Sequence, residues 1–176
     1  RYDDSATTCS FPFTQVISQP APLVVTANLT SPATCLNGAT ITASASGGTP
    51  NYQYQLEDNL GTVVVPFQAS GVFSNIVPGD YIVVVRDARG CSDPTDVPIN
   101  VPSPVVPTAS ISTTSDLCYD SVNAATIVVD AANGVTPYQY SINGGAFQSS
   151  NTFSGLVPGS YVVTVRDAYG CTVTLP

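Results

Sequence analysis

A chain of 176 residues with 43% apolar and 9% charged residues has enough apolar material for a core, while a net charge of −8 disfavours contact with nucleic acid and anionic membranes. Without His, the Ser-His-Asp and Cys-His constellations are excluded, and without Lys so are Schiff-base and Lys-phosphate chemistry. No run of about 18 apolar residues and no signal-peptide pattern occurs, so no direct membrane insertion is expected. Pro and Gly recur throughout, which implies many short segments and almost no helix.

In chain order, residues 1–18 read as the C-terminal strand of a preceding repeat, followed by the linker QPAPL at 19–23. A first β-sandwich repeat is expected over 24–101. Its opening strand is placed near 22–29, and Ile41, Ala43 and Ala45 then alternate with Thr42 and Ser44. Tyr52, Tyr54 and Leu56 face one way with Gln53 and Gln55 opposite, and further strands are placed near 62–65 and 70–76. Tyr81, Val83 and Val85 form an inner face, Arg86 begins the exit to solvent, and a last strand lies near 95–101. The Pro-rich linker at 102–107 favours a semi-rigid extended path.

A second repeat over 108–176 follows the same order. Ile127, Val129 and Ala131 alternate with Val128 and Asp130, Tyr138, Tyr140 and Ile142 with Gln139 and Ser141, and Tyr161, Val163 and Val165 face inward before Arg166. The copies are explicit: GGTPNYQYQLEDN (47–59) returns as GVTPYQYSINGG (134–145), and NIVPGDYIVVVRDARGC (75–91) as GLVPGSYVVTVRDAYGC (155–171), a period of about 80 residues. About seven strands per unit point to an all-β chain of tandem immunoglobulin-like Greek-key β-sandwich domains, each with one disulfide.

Two strings have a direct physical reading. In V-P-G-x-Y the turn dipeptide precedes a buried strand, so Tyr81 and Tyr161 are read as tyrosine corners whose hydroxyls bond upstream backbone. In R-D-A-x-G-C, Asp87 and Asp167 suit the first turn position and Gly90 and Gly170 the position of positive φ; metal ligation by these Asp is the less favoured role.

Of the five cysteines, Cys35 is expected to pair with Cys91 and Cys118 with Cys171, each tying the connection between the first two strands to the end of the hairpin. Loops of about 55 residues closed in this way stabilise by about 4 kcal/mol on the chain-entropy model. Cys9 is assigned a partner upstream, outside this chain, with a reactive or intermolecular thiol as the alternative. Long-range disulfides place the protein in an oxidising, extracytoplasmic setting.

No catalytic constellation is found and no enzyme is expected: Glu57, the sole Glu, sits with Asp58 at a hairpin tip with no convergent carboxylate. No cofactor is predicted. Asp58, Asp80, Asp93, Asp96, Asp116 and Asp120 lie near loops or linkers where extracellular arrays bind calcium, but no DxDxDG loop is present and they are read as solvated. Tyr2, Tyr119 and Tyr169 stand outside the alternating core pattern.

The unit GGTPNYQYQ or GVTPYQYS, then V-P-G-x-Y, then V-R-D-A-x-G-C, resembles the SprB repeat of gliding-motility and other giant surface adhesins of Bacteroidota. The resemblance implies type IX secretion, cell-surface display and a role in adhesion or gliding, with no catalytic residues; the chain departs from the pattern in lacking Lys and in the Arg-Asp before the turn. It makes a stalk or presentation module the leading expectation, with neighbouring repeats of the same polypeptide and extracellular surfaces or polysaccharides as partners. A polysaccharide-binding module is the alternative. A second is a filament subunit in which residues 1–18 complete a neighbouring sandwich by strand addition.

The same lineage brings an O-glycosylation pattern, met at Asp4-Ser5-Ala6 and Asp120-Ser121-Val122, whereas the N-glycosylation sequon Asn28-Leu29-Thr30 is expected to be unused in a bacterium. Modification of Ser5 and Ser121 predicts an intact mass above that of the 18.1 kDa polypeptide; the bare mass, measured on native material, removes the assignment.

Overall fold

The structure is a computed structural model that describes residues 21–120 and 123–176. The described residues contain fourteen strands and no helix. In the first repeat these are β1 (Val24–Ser31), β2 (Ala39–Ser46), β3 (Gln53–Asp58), β4 (Val63–Gln68), β5 (Val72–Ile76), β6 (Gly79–Arg86), β7 (Ser92–Pro94) and β8 (Ile99–Val101). The second repeat contains β9 (Thr108–Ile111), β10 (Ala125–Ala132), β11 (Gln139–Ile142), β12 (Thr152–Leu156), β13 (Val163–Arg166) and β14 (Thr172–Leu175).

Period-2 alternation makes these segments strands and decides which face is buried. In β2, Ala39, Ile41 and Ala43 point inward; in β6, Tyr81, Val83 and Val85 do so. The first repeat packs a sheet ordered β1-β2-β5 against one ordered β4-β3-β6-β7, with β8 also on β6. Register sets Tyr54 opposite Val85 and Leu56 opposite Val83, so the two apolar rows share one face. The second repeat repeats this arrangement with β9-β10-β12 and β11-β13-β14, setting Tyr140 opposite Val165 and Ile142 opposite Val163. The β4 position is reduced there to an isolated bridge between Tyr140 and Gln148. Each repeat holds its own apolar cluster.

The expected last strand near 95–101 is instead two short ones. Pro94 and Pro98 have no N–H to give to a ladder, which interrupts pairing along β6 and leaves β7 and β8 on either side of the break. The tyrosine hydroxyls act on upstream backbone: Tyr81 Oη donates to Val77 O at 2.8 Å, and Tyr161 Oη to Val157 O at 2.8 Å.

The topology also sorts the loops into two ends. At one end Gly48 N–H donates to Ala21 O (2.8 Å) and Thr49 N–H to Asp87 Oδ2 (2.9 Å), so the start of β1, the β2–β3 loop and the β6–β7 hairpin lie together. At the other end the β1–β2 loop, residues 32–38, shares a surface with Val77, Pro78 and Pro104, where the chain leaves the sandwich. The linker then delivers the buried Pro107 against Gly134 and Asp167 of the second repeat. The eight residues of β2 separate the two ends of a repeat by about 24 Å.

Replacing Tyr81 by Phe removes one buried hydrogen bond while keeping the ring, and is expected to lower unfolding stability by about 1 kcal/mol. The urea midpoint of Y81F at unchanged m-value checks this.

Candidate functional site

Where the two repeats meet, a loop of the first faces a hairpin of the second. In the β1–β2 loop, Thr34 Oγ1 accepts the N–H groups of Leu36 (3.2 Å) and Asn37 (2.8 Å), while Thr34 N–H donates to Asn37 O (2.8 Å). This tight turn holds Cys35 and Leu36 at its tip. Opposite, in the β13–β14 hairpin, the buried Asp167 carboxylate accepts N–H bonds from Val135 (3.0 Å), Tyr169 (2.9 Å) and Cys171 (2.8 Å). Gly170 takes φ of +75°, as the turn requires.

Cys35 and Cys171 form a disulfide between the two repeats, with Cα atoms 5.0 Å apart and a sequence separation of 136. Beside it, Cys35 N–H donates to Tyr169 O at 3.1 Å. Leu36 lies over Gly170 so closely that a Cβ there would come within 2.5 Å of Leu36 Cδ1. One hydrogen bond, one apolar contact and one covalent bond therefore join the exit end of repeat 1 to the entry end of repeat 2.

The expected pairs Cys35–Cys91 and Cys118–Cys171 are not formed, and a disulfide within each repeat is corrected to a disulfide between repeats. Cys91 and Cys118 are free and exposed. The reason is geometric: within one repeat the first loop and the hairpin lie at opposite ends, about 24 Å apart along β2. A disulfide needs Cα atoms about 4.4–6.8 Å apart. Only the end-to-end placement of successive repeats brings a first-loop cysteine to a hairpin cysteine.

The hairpin of repeat 1 has the same internal construction. Asp87 accepts N–H bonds from Thr49, Arg89 and Cys91, each 2.9 Å. These donors, the Thr49 N–H foremost, hold its carboxyl below the ordinary value of 3.8 against the opposing effect of desolvation. Both Asp residues thus pin the hairpin to the preceding loop. Outside the hairpins, Arg86 donates to Gln53 Oε1 (2.6 Å) and stacks 4.2 Å over Phe67; Arg166 repeats this with Gln139 (2.7 Å) and Phe147 (4.0 Å).

The loop aspartates are dispersed. Asp93 accepts Val25 N–H, Asp58 accepts the N–H groups of Leu60 and Thr62, Asp80 accepts from Asn100, Asp116 from Cys118 N–H and Asp120 from Asn123 N–H. Asp96 is exposed. No group of three or more His, Cys, Asp or Glu suited to a metal occurs among the described residues. Tyr119 and Tyr169 belong to opposite ends of repeat 2, the first beside the entry to β10 and the second at the junction, so they form no shared stacking surface. Tyr2, Ser5, Cys9 and Ser121 lie outside the described residues.

An apolar cavity of about 530 Å³ opens at the far end of repeat 2, lined in part by Ile127, Leu156, Tyr161, Val163 and Leu175. These are core side chains. In repeat 1 the same place is covered by β8, which pairs with Gly79–Tyr81 and buries Val101 to 1% exposure. The cavity of repeat 2 thus lies where β8 lies in repeat 1.

The SprB repeat family model matches residues 27–61 and 110–147, the first half of each unit, and stops before the V-P-G-x-Y and R-D-A-x-G-C strings. Among solved structures, the fibronectin(III)-like modules of CbhA from Clostridium thermocellum match at 15% identity and a TM-score of 0.38, over 86% of this chain and 90% of that one. No curated protein matches.

Acid sensitivity follows from Asp87. Its folded pKa is depressed, so its contribution is present above the unfolded pKa and is lost as pH falls through the folded value. Asp87→Asn is expected to lower stability near pH 7 and to flatten its decline between about pH 5 and pH 2, read from urea midpoints across that range.

Proposed function

Carrying two SprB repeats, the chain belongs to the SprB-repeat family, whose repeats occur in cell-surface proteins, and we propose that it is a load-bearing segment of an extracellular adhesin. It is a non-enzymatic stalk that projects or presents adhesive contacts, in gliding or in surface attachment. The covalent junction carries this reading: tension entering along β1 reaches Cys35, crosses to Cys171 and leaves along β14. Residues 36–170, which hold most of both cores, sit inside the closed loop and are shielded from that tension. The Pro-rich linker and the contacts of Leu36 and Pro107 stiffen the same joint, which suits a spacer.

Surface composition supports the same use. The exposed strand faces carry Thr, Ser and Gln, with Thr26 bonded to Ser44 and Thr30 to Thr42 across β1 and β2, and these neutral polar rows remain solvated at any ionic strength. Many repeats in series would also multiply weak contacts into avidity.

Pulling the chain from its two ends tests the reading. With the disulfide intact the contour is expected to stop at about 140 Å, and after reduction to reach about 600 Å, taking roughly 3.5 Å per residue. Equal extension in both conditions removes the load-bearing role. A reproducible glycan-array signal abolished by Tyr119→Ala would replace it with polysaccharide binding.

A further inference from the structure

Among the described residues, Cys91 and Cys118 are the unpaired halves of the junction that Cys35 and Cys171 make. Cys35 lies in the first loop of its repeat and Cys171 in the hairpin of the next. Cys118, after β9, occupies the Cys35 position in repeat 2, and Cys91, after β6, occupies the Cys171 position in repeat 1. We propose that Cys91 and Cys118 are docking thiols, each forming the same junction with another repeat of this kind: Cys91 with a first-loop cysteine, and Cys118 with a hairpin cysteine.

The surroundings of the two thiols support this independently of the thiols themselves. Gly170 is covered by Leu36, whereas a Cβ at Gly90 would meet nothing within 4 Å although its φ, +84°, matches that of Gly170 at +75°. Cys171 is 1% exposed under its partner loop, and Cys91 is exposed. The hairpin around Cys91 is already shaped by Asp87 as that around Cys171 is by Asp167, so the docking surface is preformed and open. On the other side, Tyr119 follows Cys118 as Leu36 follows Cys35, the place from which Leu36 reaches Gly170. An apolar side chain thus stands ready for a glycine of the Gly90 type. In sequence, Cys9 stands one period before Cys91.

The proposal goes beyond load bearing in a single junction, because it makes successive closed loops overlap along a run of repeats. Each bond forms by thiol–disulfide exchange with a low-molecular-weight disulfide. One thiolate attacks it and releases one thiol, and the second thiolate then displaces the other; two protons and two electrons leave the protein thiols, and the oxidant departs as two thiols.

A second copy of the full chain supplies the test partner. Cys9→Ser/Cys91→Ser retains only Cys118 as a docking thiol, and Cys9→Ser/Cys118→Ser retains only Cys91. Each variant alone, in a glutathione redox buffer, is expected to remain monomeric on non-reducing electrophoresis. Their mixture is expected to give a covalent dimer in at least about tenfold higher yield. Peptide mass mapping should locate its cross-link at Cys118–Cys91 and show Cys35–Cys171 intact in both partners, which also reports that each variant has folded. A mixture that stays monomeric with Cys35–Cys171 intact, or homotypic dimers in equal yield, overturns the proposal.

Discussion

A first loop and a hairpin that lie at opposite ends of one sandwich cannot be joined within it, and the architecture of the chain rests on this constraint. The linker leaves repeat 1 beside the first loop and enters repeat 2 beside the hairpin, so the two cysteine positions face each other only across the boundary. The Cys35–Cys171 bond then ties the two repeats covalently at that boundary. Every other contact at the joint, from Cys35 N–H on Tyr169 O to Leu36 on Gly170, follows from that end-to-end placement.

Local order at the joint comes from short polar side chains that satisfy backbone donors. Thr34 closes the first loop with two accepted N–H bonds, and Asp167 closes the hairpin with three. Buried carboxylates are tolerable in so apolar a domain because their acceptor sites are filled by N–H groups in short, charge-assisted bonds. The hairpin therefore arrives at the joint with its cysteine already aimed, and docking orders little additional backbone. Asp87 does the same for a hairpin whose partner surface is open.

The two repeats differ in one instructive way. Repeat 1 is closed at its exit by β8, which leaves Tyr81 4% exposed, whereas Tyr161 remains half-buried beside the apolar cavity. Closure of the first sandwich thus depends on a short strand lying well past its last hairpin. The prolines within that stretch keep it from pairing along its full length with β6.

Much of this was legible from residues alone. The inner faces at Tyr54 and Leu56 and at Tyr81, Val83 and Val85 follow from period-2 alternation, and the copied strings identify two units, because burial of one sheet face is a local, periodic demand. The hairpin roles of Asp87, Asp167, Gly90 and Gly170 were equally readable, since turn chemistry is fixed within a few residues. Disulfide partners were not. Spacing within a repeat suggested Cys35 with Cys91, but pairing depends on which loop ends meet in space, a property of the Greek-key path and of the linker rather than of any local segment. Leu36 and Thr34 carry no sequence signal for the same reason: nothing near them in sequence shows that a second repeat lies against their loop. The sequence by itself determined the inner strand faces, the hairpin turns and the duplication; only the tertiary structure decided how the edge strands pair and that the cysteines join neighbours, because both depend on segments that meet across the fold.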